Sequence, residues 1–279
     1  MLSKAPALIA PSALAALRTA VVLDGSWHMP ATRRNAAAEF AARHIPGARF
    51  FDIDAVADRT TTLPHMLPTP RVFAESVGRL GISDKDHVVI YDTAGVGPAC
   101  RVYWTFRAFG HTQVSVLDGG LPRWTAEGRP TETGEAVIEA RTYAEPGTPT
   151  LVRTYEDIVR AMTTRDAQIV DARPAGRFTG AEPEPRAGLR SGHMPTAVSV
   201  PSGRVVDPAT GTMLPAADLA ALFTSAGLDL ARPIICTCGS GVTASVLFVA
   251  LERAGARDVS VYDGSWTEYA GRPGSVIEP

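Results

Sequence analysis

The sequence has few cysteines: only Cys100, Cys236 and Cys238 occur in 279 residues. Three, two of them a single residue apart, cannot make a disulfide framework, so a reducing cytoplasm is the expected location. A basic excess is also missing, with 27 Lys and Arg against 29 Asp and Glu. That balance argues against nucleic acid as a partner. No apolar run approaches the roughly 20 residues of a membrane helix, so no membrane association is expected. The six histidines show no metal-ligand spacing, and neither a metal nor a cofactor is expected. The start is mildly apolar, but Pro6 and Pro11 interrupt it before a strand-like Val21–Asp24. It reads as a first helix over Ala5–Leu17 rather than an export signal.

What is present is 45% hydrophobic and 20% charged residues, enough for a sizeable core or two. The chain also repeats itself. Val21–Asp24 recurs as Gln168–Asp171, and His44-Ile45-Pro46-Gly47-Ala48 recurs as His193-Met194-Pro195-Thr196-Ala197. Val88–Asp92 matches Ile234–Cys238, and Val114–Gly119 matches Val259–Gly264. The offsets stay near roughly 145 to 149 residues, too long for a solenoid and right for a duplicated domain. In the second copy, strands are expected at Ala167–Asp171, Ala197–Pro201, Pro233–Thr237 and Asp258–Tyr262. Helices are expected at Tyr155–Thr163, Ala216–Ala226 and Val242–Ala254. Apolar strands alternating with helices predict an α/β fold, each copy a mainly parallel sheet flanked by helices. Pro130 to Pro149 lacks periodicity and suits a connection. The expected division is a non-catalytic domain over 1–135, a linker over 136–152 and a catalytic domain over 153–279.

In such sheets ligands gather beyond the carboxyl ends of the strands. Cys238 falls there, directly after Pro233–Thr237 and before a helix. Gly239, Ser240 and Gly241 let the backbone curl so that several N–H groups turn inward. The helix N-terminus adds partial positive charge, favouring the thiolate that attacks. A free cysteine ordinarily packs as a small hydrophobe, and Cys236 inside the strand and Cys100 in the first copy's helix read that way. The junction and its two glycines make Cys238 the candidate nucleophile. In the first copy Asp92 stands opposite Cys238, with Gly95 opposite Gly241 and Val96 opposite Val242. An aspartate cannot carry sulfane sulfur, so one active site is expected.

These features resemble the rhodanese superfamily in its tandem two-domain form. Cys238-Gly239-Ser240-Gly241-Val242-Thr243-Ala244 is similar to the active-site loop of the 3-mercaptopyruvate sulfurtransferases. The resemblance implies a sulfurtransferase that takes sulfur from 3-mercaptopyruvate as a Cys238 persulfide. Pyruvate is released, and the sulfur goes to thioredoxin, a small thiol or cyanide. Gly239, Gly241, Val242 and Thr243 are the implied substrate cradle. Thiosulfate enzymes of the family usually place basic residues after the cysteine, which suits a compact dianion. Thiosulfate as donor is therefore the alternative. Gly176–Arg186 is similar to the family's substrate-binding stretch, which implies that Arg177 and Arg186 hold the donor's carboxylate and ketone oxygens. A guanidinium fork fits an α-keto acid, whereas outside the family context each arginine reads as a solvated surface charge.

Phe50–Asp54 and Pro64–Pro68 resemble a family stretch facing the active site. The resemblance implies a Ser240, His65 and Asp54 proton relay, with a structural His65 as the alternative. His44 and His193 recur in both copies and read as fold residues. Two other classes compete. A phosphatase of the Cys-x5-Arg kind would need an arginine where Ala244 stands. A non-catalytic binding module describes the first copy but not the second.

Overall fold

The computed structural model describes residues 4–135 and 137–279. Met1–Ser3, and Ala136 where the linker is expected to begin, lie outside the described residues. The chain divides into two compact units. One holds residues up to Arg59, Leu67–Thr150 and Pro208–Met213; the other holds Thr60–Met66, Leu151–Asp207 and Leu214–Pro279.

The first unit is built on β1 (Leu8–Ile9), β2 (Val21–Asp24), β3 (Arg49–Phe50), β4 (Val88–Tyr91) and β5 (Val114–Leu117). Every pairing is parallel and the order is β1-β5-β4-β2-β3. The second unit repeats this with β6 (Val152–Arg153), β7 (Gln168–Asp171), β8 (Val198–Ser199), β9 (Ile234–Thr237) and β10 (Val259–Tyr262). Its order, β6-β10-β9-β7-β8, is the same and equally parallel. The central strands, Val88-Val89-Ile90-Tyr91 and Ile234-Ile235-Cys236-Thr237, are buried at every position. Both faces are covered, so neither strand can alternate with polar residues.

Two expectations need correction. The N-terminal stretch is not one helix, because Leu8–Ile9 pairs with Val116–Leu117 before Pro11–Ala16 turns helical. Pro11 fixes the break by taking the first helical position, where no N–H is needed. The regular helix after the cysteine loop starts at Ala244 rather than Val242, the preceding residues forming a turn. The connection between the copies is packed down: Arg141 N–H donates to Gly78 O at 2.9 Å, and buried Tyr143 meets Phe73 edge-on.

The duplicated histidines hold equivalent places. His44 stacks on Phe40 at 4.2 Å and His193 on Phe178 at 3.9 Å. Each has Nδ1 against the stacked residue's own carbonyl, and each bridges by backbone to a later glutamate, Glu132 or Glu278. Their geometry is structural in both copies.

Candidate active site

Cys238 sits at the carboxyl end of β9, between Thr237 and a loop whose Gly241 takes a φ of +81°. Only a residue without a β-carbon enters that region readily. The loop is pinned from the segment after β10. Ser265 Oγ accepts the Cys238 N–H at 3.3 Å and donates to Tyr262 O at 2.8 Å. Trp266 N–H and Thr267 N–H donate to the carbonyls of Cys238 and Gly239 at 2.9 and 3.0 Å. Thr267 Oγ1 also donates to Gly239 O at 2.6 Å. On the helix side, Ser245 Oγ donates to Gly241 O at 2.9 Å. These bonds take up outward carbonyls and hold the loop to one curvature.

Cys238 is 2% exposed and lies at the floor of the loop; Ser240 and Val242 are also buried, and Thr243 is exposed. Cys236 and Cys100 are fully buried, and burial pushes both thiols well above the ordinary range. They are core residues. All three cysteines are unbridged.

The two sequence-identified arginines converge on the loop. A β-carbon at Gly239 would lie 3.0 Å from Arg177 Nη2 and 3.8 Å from Arg186 Nη1. Arg186 Nη2 donates to Ser240 Oγ at 3.2 Å. Glycine at 239 leaves room for the Arg177 guanidinium beside Cys238.

Behind Arg177 lies a buried ionic chain that the sequence reading passed over. Arg173, with no side-chain exposure, donates to Asp171 Oδ2 at 2.7 Å and to Glu184 Oε1 at 2.8 Å. It also reaches Gly192 O at 2.9 Å and lies 4.1 Å over the Trp266 ring. Burial alone would depress this guanidinium, but Asp171 and Glu184 raise it instead. Glu184, its side chain 2% exposed, also pairs with Arg177. Asp171–Arg173–Glu184–Arg177 thus runs from the end of β7 to the loop. The available signal was Glu184 between Arg177 and Arg186, but nothing local to it distinguishes a clamp from a surface charge.

The first unit shows what the same loop does without cysteine. The Asp92 carboxylate accepts backbone N–H bonds from Ala94, Gly97 and Ala99 at 2.8, 2.9 and 2.9 Å. Its side chain fills its own anion cradle. Burial raises this carboxyl, against the pull of the backbone donors. Gly95, with φ +107°, leaves no room for a β-carbon, which would come within 2.7 Å of Gly211 O.

The relay candidates fall in different units. Asp54 is in the helix Ile53–Val56 and accepts Trp27 Nε1–H at 3.0 Å. His65 belongs to the Thr60–Met66 segment of the second unit, is 6% exposed and has φ +63°. Among the described residues, no group of three or more His, Cys, Asp or Glu could hold a metal ion. No helix among them is long and apolar enough to cross a membrane.

The second unit thus sets a cysteine at a strand end, with two arginines converging on the residue that follows it. Comparison with known proteins gives the family. The rhodanese-like domain model matches residues 32–127 and again 154–272. The human 3-mercaptopyruvate sulfurtransferase is 44% identical over 277 residues, covering 98% of this chain and 92% of that one. A mitochondrial thiosulfate/3-mercaptopyruvate sulfurtransferase of Arabidopsis thaliana is also 44% identical, covering 92% of this chain and 73% of its own. The crystal structure of SseA from Escherichia coli, described as a 3-mercaptopyruvate sulfotransferase, superposes with a TM-score of 0.83. It is 35% identical, with 94% of this chain and 99% of that one covered. The chain belongs to the rhodanese family and, within it, to the sulfurtransferases.

Proposed function

We propose that the second unit moves sulfur from 3-mercaptopyruvate to a thiol or cyanide through a persulfide on Cys238. The observation that carries this reading is the convergence of Arg177 and Arg186 on Gly239, beside the nucleophile. Two guanidiniums there can take the carboxylate and ketone oxygens of an α-keto acid while its sulfur faces Cys238. The thiolate attacks the donor sulfur and forms an S–S bond. The carbon–sulfur bond breaks, its electron pair stays on carbon as the enolate of pyruvate, and that carbon takes a proton. An acceptor thiol then attacks the outer sulfur and frees the Cys238 thiolate; cyanide takes the same sulfur as thiocyanate.

The loop of the first unit, non-catalytic in this reading, supports a way of holding the persulfide anion. Ser240 and Thr243 stand at the loop offsets of Ala94 and Gly97, whose N–H groups hold the Asp92 carboxylate. The same donors in the second loop would stabilise an anionic sulfur. Gly239, Gly241, Val242 and Thr243 form the rest of the cradle.

Ser240, two residues past Cys238 and bonded to Arg186, is the proton donor of this reading, with His65 of the same unit as its relay partner. His65→Asn should then lower kcat with mercaptopyruvate.

The deciding experiment is intact-mass spectrometry after incubation with 3-mercaptopyruvate. One added sulfur is expected on the wild type and none on Cys238→Ser. Absence of sulfur on the wild type, or greater kcat/KM with thiosulfate, would overturn the donor assignment. Thiosulfate remains the second reading because the Arabidopsis relative carries that donor in its name.

A further inference from the structure

The two copies differ at the residue that backs the first position of the loop. Ser265 stands at the place of Gly120, one residue beyond the matched segments Val259–Gly264 and Val114–Gly119. The bonds around the two are alike: Trp266 N–H donates to Cys238 O at 2.9 Å, and Leu121 N–H donates to Asp92 O at 3.0 Å. Both residues lie in the left-handed region, with φ +49° at Ser265 and +53° at Gly120. In the first unit a β-carbon at Gly120 would collide with Asp92 O, so glycine suits both the space and the backbone there. The second unit holds a serine in the same backbone conformation, fully buried. A left-handed serine is strained, and such strain persists only where the surroundings over-determine it.

The hydroxyl gives the reason. Ser265 Oγ accepts the Cys238 N–H at 3.3 Å and spends its own proton on Tyr262 O at 2.8 Å. The N–H and the carbonyl of Cys238 are thus held by two consecutive residues, Ser265 and Trp266. Fixing the peptide on each side of a Cα fixes the direction of its Cα–Cβ bond. Asp92 needs no such anchor, because three backbone N–H groups tie its carboxylate directly. A cysteine side chain is a weak hydrogen-bonding group and cannot fix itself that way. We propose that Ser265 is a positioning residue for sulfur transfer, whose hydroxyl holds the Cys238 amide so that Sγ meets the donor sulfur in line. This rests on the persulfide reading of Cys238 and deepens it. Ser265 acts through the cysteine backbone and not on the donor, so the rate of the transfer depends on it and the grip on the donor does not.

The test is the time course of sulfur loading in excess 3-mercaptopyruvate without an acceptor, quenched and read by intact-mass spectrometry at several donor concentrations. The first-order constant does not depend on how much of the protein is folded, so a merely structural loss lowers only the amplitude. Ser265→Ala keeps the β-carbon and removes the hydroxyl. Its limiting rate constant should fall about tenfold, since a misplaced reacting group can cost up to about a hundredfold. The half-saturating donor concentration should stay within about twofold of wild type, because an interaction that serves the chemical step alone leaves binding unchanged. Ser265→Gly lacks the same hydroxyl and takes up the backbone that Gly120 already shows. It should give the same result, and it serves if Ser265→Ala does not fold.

A limiting constant within about twofold of wild type in either folded variant overturns the proposal, whether or not the amplitude falls. So does a loss carried wholly by a higher half-saturating concentration, since Ser265 would then serve donor binding. Failure of the underlying reading is separate: wild type would acquire no sulfur on Cys238.

Discussion

Replacing Arg173 with methionine is expected to cost the second unit about 3–5 kcal/mol, the usual effect of removing one partner from a buried ion pair. The structure indicates why the cost should be at the upper end. Arg173 makes three contacts to the Asp171 carboxylate between 2.7 and 3.1 Å, one to Glu184 and one to Gly192 O. Asp171 has 1% side-chain exposure and would be left as a buried carboxylate without its cation. Glu184 would keep Arg177. Methionine restores most of the volume over the Trp266 ring, so a cavity contributes little. Set against a total stability of about 5–15 kcal/mol, such a loss is readily measured. Hydrogen exchange resolved by peptide is the assay. Protection in β7 and β9 should fall by the full amount, while the β4 peptide of the first unit serves as internal control. The double variant Asp171→Leu with Arg173→Met should recover much of the loss, because the orphaned charge has gone. A single-variant cost below about 1 kcal/mol, or no recovery in the double variant, would refute the account of Arg173 as an obligate buried counter-ion.

Arg177→Ala should lower kcat/KM for 3-mercaptopyruvate by roughly 10–100-fold, since charged hydrogen bonds contribute about 1.5–3 kcal/mol each; steady-state pyruvate release measures it. The thiosulfate rate should fall less, because thiosulfate has no α-keto carboxylate for the fork to hold. Asp92→Asn places an amide N–H among backbone donors and should cost the first unit about 1–3 kcal/mol, read by denaturant unfolding, with sulfur loading of Cys238 unchanged. Burial lowers the pKa of both His87 and His111. Their folded values lie below the unfolded one, so the unfolded chain binds more protons as pH falls. Their contribution is complete above pH about 6.5 and is lost as pH drops toward the folded values, by at most about 1.4 kcal/mol per pH unit for each. Unfolding free energies at pH 7.5 and 5.5 should show this slope, and His111→Phe should make it shallower.

Much of this molecule could be read from local pattern. The central strands are continuous apolar runs, and the duplicated segments announce two copies of one sheet. The cysteine loop identifies itself by chemistry, since a strand end, two glycines and a helix start are all short-range features. Arg177 and Arg186 were legible only as a resemblance to a family stretch. By themselves they look like surface charges.

The edge strands Leu8–Ile9 and Val152–Arg153 are two residues each, too short for any periodicity, and exist only because a neighbouring strand offers its free edge. The same applies to the ionic chain. That Asp171, Arg173, Glu184 and Arg177 form one buried line depends on the end of β7 meeting a loop that returns beneath Trp266. Sequence chemistry singled out Cys238 as the candidate nucleophile, with two arginines for the site. Tertiary packing decided that one cation is neutralised by Glu184, because burial turns an ordinary glutamate into an unscreened charge.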